Sequence, residues 1–219
     1  ISTSIYYNLI SYWAFNGKIN ALVGNNFKKV NNRSLSYSRD RFGNYNSAYS
    51  DNIRLTSQIS SSAFTSNSFT LSFLINTNYG SKKIFKISES EDKYVSIEVE
   101  NGYVVLKLTT PGSLWGSNTN TFRSRVRLNN SSWNHIIVSY DFAPNSDQFS
   151  YYIYQNGKQV LGASPFMLNS KNFMPIQIET YSDYLYIDDV TLWNKLFSNT
   201  ERAFLYDFHK NTDLIKEQR

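Results

Sequence analysis

The stretch "SFTLSFLINT", residues 68–77, places Phe69, Leu71, Phe73 and Ile75 at every second position. A period of two belongs to a strand with one face on a core, because successive side chains of an extended chain point to opposite sides. The same alternation recurs on either side of it. Upstream lie "LISYWAF" (9–15) and "AYSDNIRL" (48–55); downstream lie "KKIFKIS" (82–88), "KYVSIEVE" (93–100) and "YVVLKLTT" (103–110). After them come "FRSRVRL" (122–128), "WNHIIVSYDF" (133–142), "FSYYIYQ" (149–155), "KQVLGAS" (158–164), "MPIQIET" (174–180) and "LYIDDVTLWN" (185–194).

Turn signals separate these segments. Asn101-Gly102 and Asn156-Gly157 each stand between two strand patterns, and Asn-Gly suits a tight hairpin whose two central residues need positive φ. A long loop is expected from Pro111 to Asn120. About twelve strands with no repeat of fixed period argue for a β-sandwich or barrel rather than a propeller. One segment, "SNTERAFLYDFHKN" (198–211), has the helical pattern: Ser198 or Asn199 as N-cap, Glu201 in the first turn, and Phe204, Leu205 and Phe208 on one face. Residues 1–208 are expected to form one domain, followed by a polar tail or linker over 209–219.

Composition narrows the function. The 219 residues include 17 Tyr and 15 Phe, a bias toward strands and a large core. The net charge of +5 is spread along the chain, densest at Lys28-Lys29, Lys82-Lys83 and Arg123, Arg125 and Arg127. No nucleic-acid motif accompanies it, so that partner is not expected. Without cysteine, disulfides and thiolate metal sites are excluded. No apolar run approaches the roughly 20 residues of a membrane helix. A chain that starts at Ile1 reads as a fragment of a larger protein, with neighbouring domains among its partners.

Catalytic patterns are weak. Glu98 and Glu100 share a strand face, but Tyr94 and Ser96 stand where a glucanase-type strand would carry further acids, which favours a solvated outer face. Of two histidines, His135 reads as a hydrogen-bonded strand residue and His209 as exposed on the tail helix; a Ser-His-Asp site or a zinc site is not expected. The adjacent acids of "IDD", Asp188 and Asp189, should point to opposite faces, with Asp189 outward and dispensable.

Six blocks stand in a recognisable order: "LISYWAFNG", "DRFGNYNSAYS", "SFTLSFLINT", "WNHIIVSYD", "YYIYQNGKQV" and "IDDVTLWNKLFSNTE". Over roughly residues 8–207 they resemble the laminin-G-like, concanavalin A-like lectin domains. The resemblance implies an all-β, jelly-roll β-sandwich of two antiparallel sheets with one short C-terminal helix, and makes Trp13, Trp133 and Trp193 core residues. It also implies a structural calcium ion held by Asn16 and Asp188 with carbonyls near Val23 and Asn26. Asp188 could instead accept backbone N–H groups of the "FNG" turn and clasp the two ends of the chain. After "SAYS" and around "KINALVGNN" the sequence departs from the family pattern, in the region where that ion would lie.

The expected function is a non-catalytic carbohydrate-binding or adhesion module, secreted or at a cell surface, taking a glycan or glycosylated protein. Aromatic faces and planar polar groups suit sugars. Trp115, Asn118, Arg123, Tyr152 and Tyr184 are the candidate ligand-binding residues. A protein-interaction or spacer domain is one rival. Another is the receptor-binding jelly roll of clostridial-type toxins, similar in its Tyr, Asn and Ile richness.

Overall fold

The computed structural model describes residues 7–50, 53–64, 68–78, 80–112, 117–143, 148–162, 166–167, 175–181 and 185–211. Among them the first strands are β1 (Leu9–Trp13), β2 (Lys28–Lys29), β3 (Tyr37–Ser38), β4 (Ala48–Tyr49), β5 (Leu55–Gln58) and β6 (Ser68–Thr77). Next come β7 (Lys82–Ser88), β8 (Tyr94–Glu100), β9 (Tyr103–Pro111), β10 (Ser117–Arg127) and β11 (Trp133–Ala143). The last are β12 (Gln148–Gln155), β13 (Lys158–Gly162), β14 (Phe166–Met167), β15 (Gln177–Thr180) and β16 (Leu185–Trp193), followed by helix α1 (Asn199–Asn211).

These strands form two sheets. The first runs β13-β12-β11-β6-β16-β4-β3, with β1 also on β16 and β14 on β12; the second runs β10-β9-β8-β7-β15-β5-β2. Every pairing within them is antiparallel. The result is the expected sandwich. Its core joins the inner faces of both sheets: Phe69, Leu71, Phe73 and Ile75 of β6 meet Ile84, Phe85 and Ile87 of β7. Phe73 and Phe85 cross edge to face at 4.8 Å, a favourable arrangement for two ring quadrupoles. Both Asn-Gly hairpins form, with φ of 51° and 84° at Asn101-Gly102 and 50° and 77° at Asn156-Gly157.

Three expectations need correction. The segment 48–55 is not one strand: Ala48–Tyr49 joins the first sheet and Leu55–Gln58 the second, so the chain changes sheets between them. Of the loop expected from Pro111 to Asn120, the described residues Pro111 and Ser117 to Asn120 belong to strands β9 and β10. Ser117 to Arg123 pair in unbroken register with Pro111 to Val105, and Thr109 and Thr119 link their hydroxyls at 3.1 Å. Residue 209 does not begin a tail, because α1 continues through it to Asn211.

Helix α1 covers part of the outer face of the first sheet. Leu205 is buried in a cluster with Ile137, Tyr154, Trp193 and Phe197. Its start is a capping box: Glu201 N–H donates to Ser198 Oγ at 3.2 Å, and Ser198 N–H donates to Glu201 Oε2 at 2.9 Å. Replacing Ser198 by alanine removes one acceptor and should lower stability by about 1 kcal/mol, read from the urea midpoint. An unchanged midpoint would mean that packing alone seats the helix.

Candidate functional site

The two acids of "IDD" owe their arrangement to a β-bulge. Between Asp188 and Thr191 of β16, the partner strand β6 advances only from Leu74 to Ser72, so β16 carries one extra residue. Asp189 takes up the irregularity with φ of 46°, a left-handed conformation that Asp tolerates better than most residues. Alternation is thereby reset. Ile187, Val190 and Leu192 all reach the inner core, while both acids face Arg41 on the outer side.

Arg41 comes from the "DRFGN" turn. Asp40 shapes it: Oδ1 accepts the N–H groups of Phe42 and Asn44 at 2.8 and 2.9 Å, and Gly43 N–H donates to Asp40 O at 3.2 Å. A side-chain acceptor of this kind fixes a turn without further secondary structure. Arg41 Nη1 then lies 2.8 Å from Asp189 Oδ2 and 3.4 Å from Asp188 Oδ2. Tyr12 Oη donates to Asp189 Oδ1 at 2.7 Å, and His209 Nδ1 stands 3.5 Å from Asp189 Oδ2. Asp189 is therefore a buried hub, 3% exposed, and not an outward, dispensable residue. His209 is likewise 1% exposed instead of solvent-facing, because the helix turns it inward onto the sheet.

Burial sets the charge states. It pushes the Asp188 carboxyl well above its ordinary range, with the neighbouring Asp189 charge adding to the effect. For Asp189 burial acts the same way, but His209, Arg41 and the Tyr12 hydroxyl outweigh it and hold that carboxyl low. His135, on β11, is held well below the ordinary imidazole range by burial and by the positive potential of His209 and Arg41. Its Nε2 shares a 2.7 Å hydrogen bond with Ser72 Oγ, as expected of a bonded strand histidine.

Above this cluster opens a cavity of about 340 Å³ between α1 and the first sheet. Arg41, Leu74, His135 and His209 line its buried side, and Trp133, Asn156 and Tyr206 are half-buried in its wall. Phe42, Asn129 and Lys210 are its exposed members. Trp133 is thus a cavity residue and not core, whereas Trp13 and Trp193 are buried as expected. The Tyr206 ring stacks on His135 at 6.0 Å. The His135 and His209 rings stand 4.7 Å apart.

The described candidates among those read from the sequence do not assemble into one site. Trp115 and Tyr184 lie outside the described residues. Tyr152 faces α1 with Tyr154, on the opposite side of β12 from Tyr151, which packs in the core against Phe122. Arg123 follows Phe122 on β10 and points away from that core, stacking 3.9 Å over Tyr103. Tyr152 and Arg123 therefore occupy opposite outer faces of the sandwich. Asn118 is exposed on β10, on the other pleat face from Arg123.

Asn16 is exposed at the end of the first strand region, while the Asp188 carboxylate faces a guanidinium and accepts the Asp189 N–H at 2.8 Å. A calcium ion needs several oxygens, carboxylates among them, and no neighbouring cation. The Asp188 surroundings do not fit one, nor do they clasp the "FNG" turn. Among the described residues no group of three His, Asp or Glu could hold a metal.

Residues 47–201 match the family described as the concanavalin A-like lectin/glucanases superfamily. The chain belongs to that superfamily. As a superfamily sandwich it also superposes on solved neurotoxin domains. The binding domain of botulinum neurotoxin serotype G matches with a TM-score of 0.68 at 15% identity, over 93% of this chain and 52% of that one. The receptor-binding domain of botulinum neurotoxin D gives 0.69 at 13%, over 94% and 54%. A structure of botulinum neurotoxin type C, whose cell entry is described as dependent on two ganglioside molecules, gives 0.66 at 14%, over 94% and 52%. The chain spans about half the length of these domains, and at such identities the likeness is one of fold. No curated protein sequence matches the chain.

Proposed function

We propose that this chain is a non-catalytic glycan-binding module of a larger extracellular or surface protein, with its site in the cavity between α1 and the first sheet. The carrying observation is the lining: the aromatic surfaces of Trp133 and Tyr206 beside amide, imidazole and ammonium groups, in about 340 Å³. Sugar recognition needs that mixture of aromatic faces and convergent polar groups, and the volume is at the small end for ligand sites. The toxin-type receptor-binding reading is compatible, since a ganglioside presents a glycan.

Hydrolysis is the weaker reading. Glu98 and Glu100, the only acids sharing a strand face in the glucanase-like segment, are both bound by Lys107 at 2.7 Å. Neither has the isolated, desolvated setting of a general acid.

A glycan array probed with the labelled chain should give hits that survive chelation of calcium and weaken when Trp133 is replaced by alanine. An array without hits at any calcium concentration would overturn the glycan-binding reading and leave the protein-interaction reading in its place.

A further inference from the structure

We infer that the cavity between α1 and the first sheet receives an acidic sugar, with a carboxylate or sulfate group seated among His135, His209 and Lys210. This inference rests on the glycan-binding reading and names the class of ligand.

The charge of the lining points to it. None of the ten described residues that line the cavity is acidic, while Arg41 and Lys210 are basic and His135 and His209 present imidazole nitrogens. The nearest carboxylates, Asp188 and Asp189, do not line it; they are engaged by Arg41 at 3.4 and 2.8 Å. With Asp188 pushed toward its neutral form by burial, the Arg41–Asp189 pair is close to electrically balanced. The remaining positive charge of the lining then belongs to Lys210. Lys210 is exposed and forms no ion pair among the described residues.

Hydrogen-bonding capacity points the same way. His135 Nδ1 and His209 Nε2 are buried and have no hydrogen-bond partner among the described residues. Buried polar atoms are nearly always satisfied by protein, water or ligand. The two imidazole rings that carry these nitrogens stand 4.7 Å apart on the cavity wall. An anion with several acceptor oxygens answers both, and Lys210 adds a charge-assisted contact at the mouth. Trp133 and Tyr206 remain for the pyranose ring that carries the acid. The cavity volume suits one ring and its substituent rather than a long oligosaccharide.

Lactose, 3′-sialyllactose and lactose 3′-sulfate form a series with the same neutral base and either no acid, a carboxylate or a sulfate. In calorimetric titrations at low ionic strength, at least one of the acidic members should bind ten-fold or more tightly than lactose, and the better of the two identifies the acid. Lys210→Glu should weaken that binding at least ten-fold while leaving the melting temperature unchanged, since the side chain is exposed. His209→Gln should weaken it as well, with folding checked by circular dichroism. Lactose binding as tightly as both acidic members, or none of the three binding, would overturn the inference; the broader glycan reading would survive if neutral glycans bind on the array. Tight acidic binding untouched by Lys210→Glu would place the acid elsewhere and overturn it too.

Discussion

Replacing Asp189 by alanine should destabilise the protein by about 3–5 kcal/mol, the range for removing one partner of a buried charged pair. For a chain of 219 residues that corresponds to a fall in Tm of roughly 10 °C. The reason is the number of groups that Asp189 satisfies. Arg41, Tyr12 and His209 approach its two carboxylate oxygens at 2.8, 2.7 and 3.5 Å. Truncation removes the carboxylate 2.8 Å from the largely buried Arg41 guanidinium and the oxygen that accepts from the buried Tyr12 hydroxyl. Alanine also fits poorly at a φ of 46°.

Two further variants divide that loss. Asp189→Asn keeps an acceptor for Tyr12 and tolerates the left-handed backbone, so its intermediate loss isolates the charge. Asp188→Asn should be mild, because burial already favours the uncharged carboxyl there. Thermal melts of all three check the ranking. An Asp189→Ala melt within about 2 °C of the parent would remove Asp189 from its place as hub.

The contrast between these two acids shows where sequence reasoning runs out. Most strand positions, both Asn-Gly hairpins and the capping box follow from local rules and formed as read, while the split of 48–55 between two sheets did not. The bulge at Asp189 does not announce itself, since "IDDV" fits a regular strand equally well. Once one residue is added, every side chain of β16 beyond it changes face, and Asp189 joins Asp188 on the outer side of the sheet, where the Arg41 turn and α1 bury it. Its partner Arg41 lies 148 positions away in sequence, brought close only by the turn that Asp40 shapes. Nothing in the "DRFG" segment says which strand the arginine will meet. His209 was lost for a similar reason. A polar helix end reads as frayed unless the sheet beneath it is known to present a carboxylate.

Acidification should destabilise the protein through His135, and His135→Gln should lose that part of the slope while retaining a hydrogen bond to Ser72. Burial, with the positive potential of His209 and Arg41, holds the His135 pKa well below 6.5 in the folded chain. Between about 6.5 and that lower value, the unfolded chain binds a proton that the folded chain does not. Stability therefore falls as pH falls through this window, by about 1.4 kcal/mol per pH unit where it is fully open. Asp188 acts with the opposite sign. Its raised folded pKa means that the folded chain keeps a proton the unfolded chain has lost, so stability falls as pH rises from about 3.8 through the folded value. Asp189, with its lowered pKa, contributes stability that is present above about 3.8 and lost as pH falls through its folded value. Where the His135 and Asp188 windows overlap the two slopes oppose each other, and the parent profile understates both. Urea midpoints taken from roughly pH 4.5 to 7.5 separate them: His135→Gln should flatten or invert the profile, and Asp188→Asn should steepen it. A His135→Gln profile parallel to the parent's would show that the acid sensitivity lies outside this cluster, and would release His135 from the electrostatic coupling that joins α1 to the first sheet.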